Sequence, residues 1–127
     1  MTIRQGVDIT SVKRIRQAVE RHGKAFLRRI FTPQEIAYCE TKRMKYEHYA
    51  ARFAAKEAAM KAFEIRRENA YHFKEIEIRR TATGKPEIYL APASRKRFRI
   101  PKQSQIELSM AHEREFAIAT VVMVYEK

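Results

Sequence analysis

The stretch RFAAKEAAMKAF, Arg52 to Phe63, decides how this sequence is read. It mixes five alanines with four charged side chains. At about 100° per residue, Ala54, Ala55, Ala58, Ala59 and Ala62 share one broad arc of a helix, against which another backbone can pack closely. Phe53 and Met60 fall on the opposite side, and Arg52 with Lys56 is expected to form a separate cationic edge. Glu57 and Lys61 lie between these arcs, four residues apart and facing one way. Taken alone, this is a solvated helix face with one i,i+4 pair, a contribution of roughly 0.3 kcal/mol.

Working outward, the segments before this helix are also helical. TSVKRIRQAVERHG places Val12, Ile15 and Val19 at helical spacing and ends at Gly23. TPQEIAYCETK starts a helix with Thr32 as N-cap, Pro33 in the first helical position and Glu35 three residues on. The alanine-rich helix itself is expected to begin near Tyr46. Ahead of them all, TIRQGVDI reads as a short strand ending at Asp8.

Beyond the helix the period changes to two. FKEIEIRR alternates Ile76 and Ile78 with Glu75 and Glu77. TGKPEIYLA turns at Gly84 and Pro86 and continues as a strand, ASRKRFRIPKQ reads as a short helix or exposed connection, and SQIELSM with EFAIATVVMVY forms a last hairpin. Helices followed by antiparallel strands indicate an α+β fold, with helices packed on a small, mainly antiparallel sheet. With 127 residues, three glycines, four prolines and no linker or repeat, residues 1–127 read as one domain.

Charge and cysteine content narrow the function. Twenty-seven Lys+Arg against fifteen Asp+Glu give a formal +12, which favours an anionic partner without naming it. A single cysteine, Cys39, excludes an internal disulfide and fits a reducing compartment. Arg4 and Asp8 interrupt any apolar run at the start, so neither a signal peptide nor a membrane span is expected, and the reading is cytoplasmic. The basic run SRKRFR, Ser94 to Arg99, would suit a nucleic-acid-binding module. Asp8 and Glu57 would repel phosphate there unless a metal lay between them, and no zinc or RNA-recognition signature accompanies the run.

Asp8 has two readings. It or Thr10 caps the helix that follows, or, with Glu57, it holds a hard divalent cation. Mg²⁺ takes a couple of protein oxygens together with water and phosphate oxygens.

The segments GVDITSVKRI, RFAAKEAAMKAF, TGKP and LSMAHEREFAIATVVM, in this order, resemble the holo-acyl-carrier-protein synthases, the small 4'-phosphopantetheinyl transferases. The likeness runs from about Gly6 to Val124, and the first two motifs are its specific part. It implies the phosphopantetheinyl transferase fold. It also implies Mg²⁺-dependent transfer of phosphopantetheine from coenzyme A to a serine hydroxyl of an apo acyl carrier protein, releasing adenosine 3',5'-bisphosphate. By the same resemblance Asp8 and Glu57 are the metal ligands and Lys61 reaches the phosphates. Glu57, directly or through water, is a candidate to accept the serine proton. Arg52 matches an arginine at the nucleotide end of coenzyme A. The alternative for Arg52 is an ion pair with Glu47 or Asp8. His112, in SMAH, matches a coenzyme A-binding histidine that acts across a subunit boundary, within a homotrimer.

The resemblance also gives the charge a purpose. Carrier proteins of this kind are acidic, and Arg14, Arg21, Lys24, Arg28 and Arg29 would form the basic surface that meets them. Which carrier is served, in fatty-acid or another pathway, stays open. One departure stands out, since relatives carry a glycine-rich turn where this chain has Glu64, Ile65 and Arg66. Either the helix continues there, or Arg66 or Arg67 takes over phosphate binding, or coenzyme binding is impaired. The last case would leave a catalytically impaired adaptor that docks acidic carriers.

Overall fold

The computed structural model describes residues 1–65 and 70–126. Strand β1 (Thr2–Ser11) leads into helices α1 (Val12–His22), α2 (Lys24–Ile30), α3 (Pro33–Glu40) and α4 (Lys45–Ala62). A 3-10 helix (Ala70–Glu75) and strands β2 (Glu77–Arg80) and β3 (Pro86–Tyr89) follow, then helix α5 (Pro92–Arg97) and the hairpin β4 (Gln105–His112) and β5 (Phe116–Tyr125). Two antiparallel sheets result, one ordered β1-β5-β4 and the other β2-β3. The α+β expectation holds.

Helix α4 fills the centre because its alanines leave room for it. Ala54, Ala55, Ala58, Ala59 and Ala62 are all buried, and the sheet opposite offers equally small residues, Ala117 and Ala119. Gly6 completes the fit. A Cβ built on it would stand 2.1 Å from the carbonyl oxygen of Ala58, so β1 and α4 touch backbone to backbone. Met60 is buried as well, so the face expected to lie opposite the alanine arc is also covered.

The local signals act as expected in most places. Thr32 and Glu35 form a capping box at the start of α3, and Gly23, at φ 58, ends α1. Three readings are corrected. Strand β1 continues to Ser11, whose hydroxyl caps α1 by accepting from the backbone N–H of Arg14. Neither Asp8 nor Thr10 is therefore the cap. Helix α2 adds a turn of structure that the sequence pattern did not announce. The alternation around Ile76 and Ile78 breaks down, because β2 begins only at Glu77 and the Glu77 side chain is itself buried against Arg79.

The sheet β1-β5-β4 uses one face on α4 and leaves the other outside. Ile3, Val7 and Ile9 of β1, with Phe116 and Ile118 of β5, form an exposed apolar face, and Ile9 stands directly opposite Ile118 in the register.

Candidate functional site

On the inner face of β1 the residues run Gly6, Asp8, Thr10, alternating with the exposed apolar ones. Thr10 Oγ1 donates to Asp8 Oδ2 at 2.8 Å, which orients the carboxylate. Because Gly6 lets α4 come close, Lys61 spans the crossing. Its Nζ donates to the carbonyl of Val7 at 2.8 Å and stands 3.4 Å from Asp8 Oδ1. Glu57, one turn earlier on the same helix, lines a cavity of about 310 Å³ together with Asp8, Thr10, Ser11, Arg14 and Phe53. The structure thus brings Asp8, Glu57 and Lys61 to one crossing of strand and helix.

Among the described residues no cluster of three or more His, Cys, Asp or Glu side chains could enclose a metal ion. Two carboxylates on one cavity are a different kind of donor set, one suited to a hard ion that keeps water and phosphate oxygens in its shell.

Arg52 and Lys56 are not a surface edge, and Arg52 pairs with neither Glu47 nor Asp8. Both are buried, at 2% and 0% exposure. The Arg52 guanidinium lies over the ring of Tyr38 at 4.1 Å, and Lys42 and Arg80 approach the same ring at 4.6 and 5.2 Å. Arg52 Nε is buried without a hydrogen-bond partner, although such groups are nearly always paired.

The imidazole of His112 meets Glu47 Oε1 at 2.9 Å, and its ring lies 4.8 Å from that of His48. Burial, helped by the neighbouring His112, Arg52, Lys42 and Arg80, pushes His48 down to about 4, so it is neutral at pH 7. Tyr38, Lys42, His48 and Arg80 were missed in the sequence. Only the fold joins α3, the start of α4 and β2 into this cluster.

Lys56 takes a different role from the one expected. Its ammonium contacts Glu35 Oε1 at 2.8 Å and the carbonyls of Phe73 and Ile76 at 2.8 and 2.7 Å. Burial lowers its pKa, and the Glu35 carboxylate opposes that shift. Glu35 in turn accepts from the backbone N–H groups of Thr32 and Ile78, both at 2.8 Å.

At the end of α4 the helix does not continue. The N–H of Ile65 donates to the carbonyl of Met60 and that of Glu64 to Lys61, a Schellman stop with Glu64 at φ 59. Glu64 therefore adopts the left-handed conformation that glycine adopts most easily, and its carboxylate pairs with Arg4. Arg66 and Arg67 lie outside the described residues. The docking candidates Arg14, Arg21, Lys24, Arg28 and Arg29 are all exposed on α1 and α2.

The family model of the 4'-phosphopantetheinyl transferase superfamily matches residues 4–121. The chain belongs to this superfamily. Among curated relatives, the holo-[acyl-carrier-protein] synthase of Solibacter usitatus is 39% identical over 97% of this chain and 98% of its own. The crystal structure of the Neisseria meningitidis holo-[acyl-carrier-protein] synthase superposes with a TM-score of 0.85 at 37% identity, covering 96% of this chain and 98% of that one. The Helicobacter pylori synthase, solved in complex with coenzyme A, gives 0.79 at 34% identity over 94% and 99% of the two chains. These matches span almost the whole chain, which has the phosphopantetheinyl transferase fold and belongs to the holo-acyl-carrier-protein synthase class of enzyme.

Proposed function

We propose that this transferase moves phosphopantetheine from coenzyme A to a serine of an apo acyl carrier protein, with Mg²⁺ held by Asp8 and Glu57. The observation that carries the reading is the crossing of β1 and α4, where Lys61 meets Asp8 beside a cavity shared with Glu57. The two carboxylates fit a magnesium ion that completes its shell with water and the pyrophosphate. When bound, the ion supplies charge neutralisation for the pyrophosphate and its leaving group.

The chain's own groups do the rest. Lys61 contacts the phosphate oxygens from the same side as Asp8. The serine hydroxyl attacks the phosphorus that carries pantetheine, and the bond to the nucleotide phosphate breaks, releasing adenosine 3',5'-bisphosphate. Glu57, directly or through water, takes the serine proton. Arg14 lines the same cavity and sits on the basic face of α1, so an acidic carrier held there has its serine beside the carboxylates.

The nucleotide end belongs to Arg52, with Lys42 and Arg80 around Tyr38 and His112 nearby. The Arg52 guanidinium, whose buried Nε has no hydrogen-bond partner, stands among like charges, a combination that suits a phosphate monoester. Arg52 and Glu57 lie on different faces of α4, and the resemblance implies that one coenzyme A draws its two ends from neighbouring copies. The exposed apolar face of β1 and β5 supports such an assembly, read here as a homotrimer. No described helix is long and apolar enough to cross a membrane.

The test is the intact mass of an apo carrier protein after incubation with the enzyme, coenzyme A and Mg²⁺. A phosphopantetheine gain is expected, and it should vanish without Mg²⁺ or with Asp8→Ala. No gain, together with no coenzyme A binding, would favour the adaptor reading.

A further inference from the structure

Lys56 and Glu35 form a fully buried ion pair that the chemistry above does not use. Each is fully occupied: Lys56 by three oxygens, and Glu35 by Lys56 and two backbone N–H groups. Such a pair is weak evidence for stability, because apolar residues of similar size often serve a core equally well. Here the cost is increased by Arg52, whose charge stands one turn away on the same helix and lowers the Lys56 pKa further.

The placement of the pair supplies a reason for keeping it. Each anchor lies one structural repeat from a member of the cationic cluster around Tyr38. Lys56 precedes no site residue of that cluster, but Arg52 stands four residues before it on the same face of α4. Tyr38 stands three residues after Glu35 on α3. Arg80 stands two residues after Ile78, whose N–H Glu35 holds, on β2. The network therefore fixes the relative position of three elements, and those three carry Arg52, Tyr38 and Arg80 to one point. Without it, the mutual repulsion of Arg52 and Arg80 would favour separation of α4 and β2.

We propose that Glu35 and Lys56 are positioning residues for the nucleotide-end phosphate, holding α3, α4 and β2 so that Arg52 and Arg80 converge on it. The proposal rests on the reading of the Arg52 cluster as the site of the 3'-phosphate.

The experiment measures calorimetric binding of coenzyme A and of 3'-dephospho-coenzyme A to the wild-type protein and to Glu35→Leu/Lys56→Met. This double variant removes both charges and keeps apolar bulk. Wild-type protein is expected to prefer coenzyme A. The folded double variant, checked by melting and near-ultraviolet circular dichroism, is expected to lose about tenfold in coenzyme A affinity, the size of one charge-assisted contact. Its affinity for the dephospho form should not change. A folded variant that still discriminates as the wild type does overturns the proposal. A wild-type protein that does not discriminate overturns the reading of the nucleotide end itself, and the proposal with it. Should the double variant fail to fold, Glu35→Gln/Lys56→Met carries the test. It leaves no buried charge unpaired and keeps a side-chain oxygen for the N–H of Thr32, and a selective loss of about threefold or more is expected, with unchanged discrimination again decisive against the proposal.

Discussion

Gly6 of β1 lies against the backbone of Ala58 in α4, so close that a Cβ on Gly6 would stand 2.1 Å from the Ala58 carbonyl oxygen. The contact is backbone on one side, which no rotamer change can relieve. It also sets the distance over which Lys61 reaches Val7 and Asp8.

Gly6→Ala should therefore destabilise the protein by about 1–3 kcal/mol, the usual range for overpacking. Urea unfolding measures the loss, and a wild-type midpoint would show that the two backbones can part freely. Transfer activity should fall in the same variant even where it is folded, since Lys61 moves away from Asp8.

Lys61→Met separates chemistry from stability. The side chain is 46% exposed, so its removal should leave the melting temperature within a few degrees. The rate of phosphopantetheine transfer should drop on the order of 10²-fold, as for loss of one group aimed at developing charge. A variant with near-normal turnover would place Lys61 outside the phosphate site.

Glu64 adopts φ 59, where an L side chain costs roughly 1–2 kcal/mol relative to glycine. Its exposed pair with Arg4 returns little of that. Glu64→Gly should raise the unfolding free energy by about 1 kcal/mol, read from denaturant midpoints at constant slope. A destabilised variant would mean that the Arg4 pair, not the backbone, governs this helix end.

His48 makes stability depend on pH. Its folded pKa, about 4, lies below the ordinary 6.5. Between these values the unfolded chain binds more protons, so the contribution is complete above about pH 6.5 and is lost as pH falls toward 4. Thermal melts across this window should show a shallower decline for His48→Gln than for the wild type. Identical slopes would assign the decline to other groups.

The basic face of α1 and α2 should reveal itself through salt. Apparent KM for an acidic carrier should rise steeply with ionic strength, and Arg14→Glu/Arg21→Glu should raise it at low salt and flatten the dependence. A KM indifferent to salt would remove this surface from docking.

What could be read in advance was local. The Thr32–Glu35 capping box, the alanine arc of α4 and the last hairpin each depend on residues a few positions apart, and the structure retains all of them. The fate of Lys56 could not be read so, because its partners come from α3 and from the 3-10 helix, brought together only by packing. Position 56 looked like the neighbour of Arg52 on a cationic edge, and nothing nearby in sequence announced a carboxylate waiting inside. The end of β1 was misjudged for a related reason. Asp8, Thr10 and Ser11 can all cap a helix, and pairing of β1 with β5 as far as Ser11 and Phe116 leaves the role to the last of them. Of the three readings for Glu64, Ile65 and Arg66, a continued helix, phosphate binding by Arg66 or Arg67, and impaired coenzyme binding, the backbone overturns the first, since it keeps the helix stop with a side chain at position 64.

Strand β1 turns Asp8 inward and Val7 and Ile9 outward, so the strand that carries the proposed metal-holding carboxylate is also the strand with an uncovered apolar side. Only one backbone thickness separates the two. In the proposed assembly a second copy covers Val7 and Ile9 and steadies the carboxylate behind them, so dilution would loosen both together. Turnover per chain should then fall as the protein is diluted, and a rate per chain that is constant across dilution would separate the apolar face from the site.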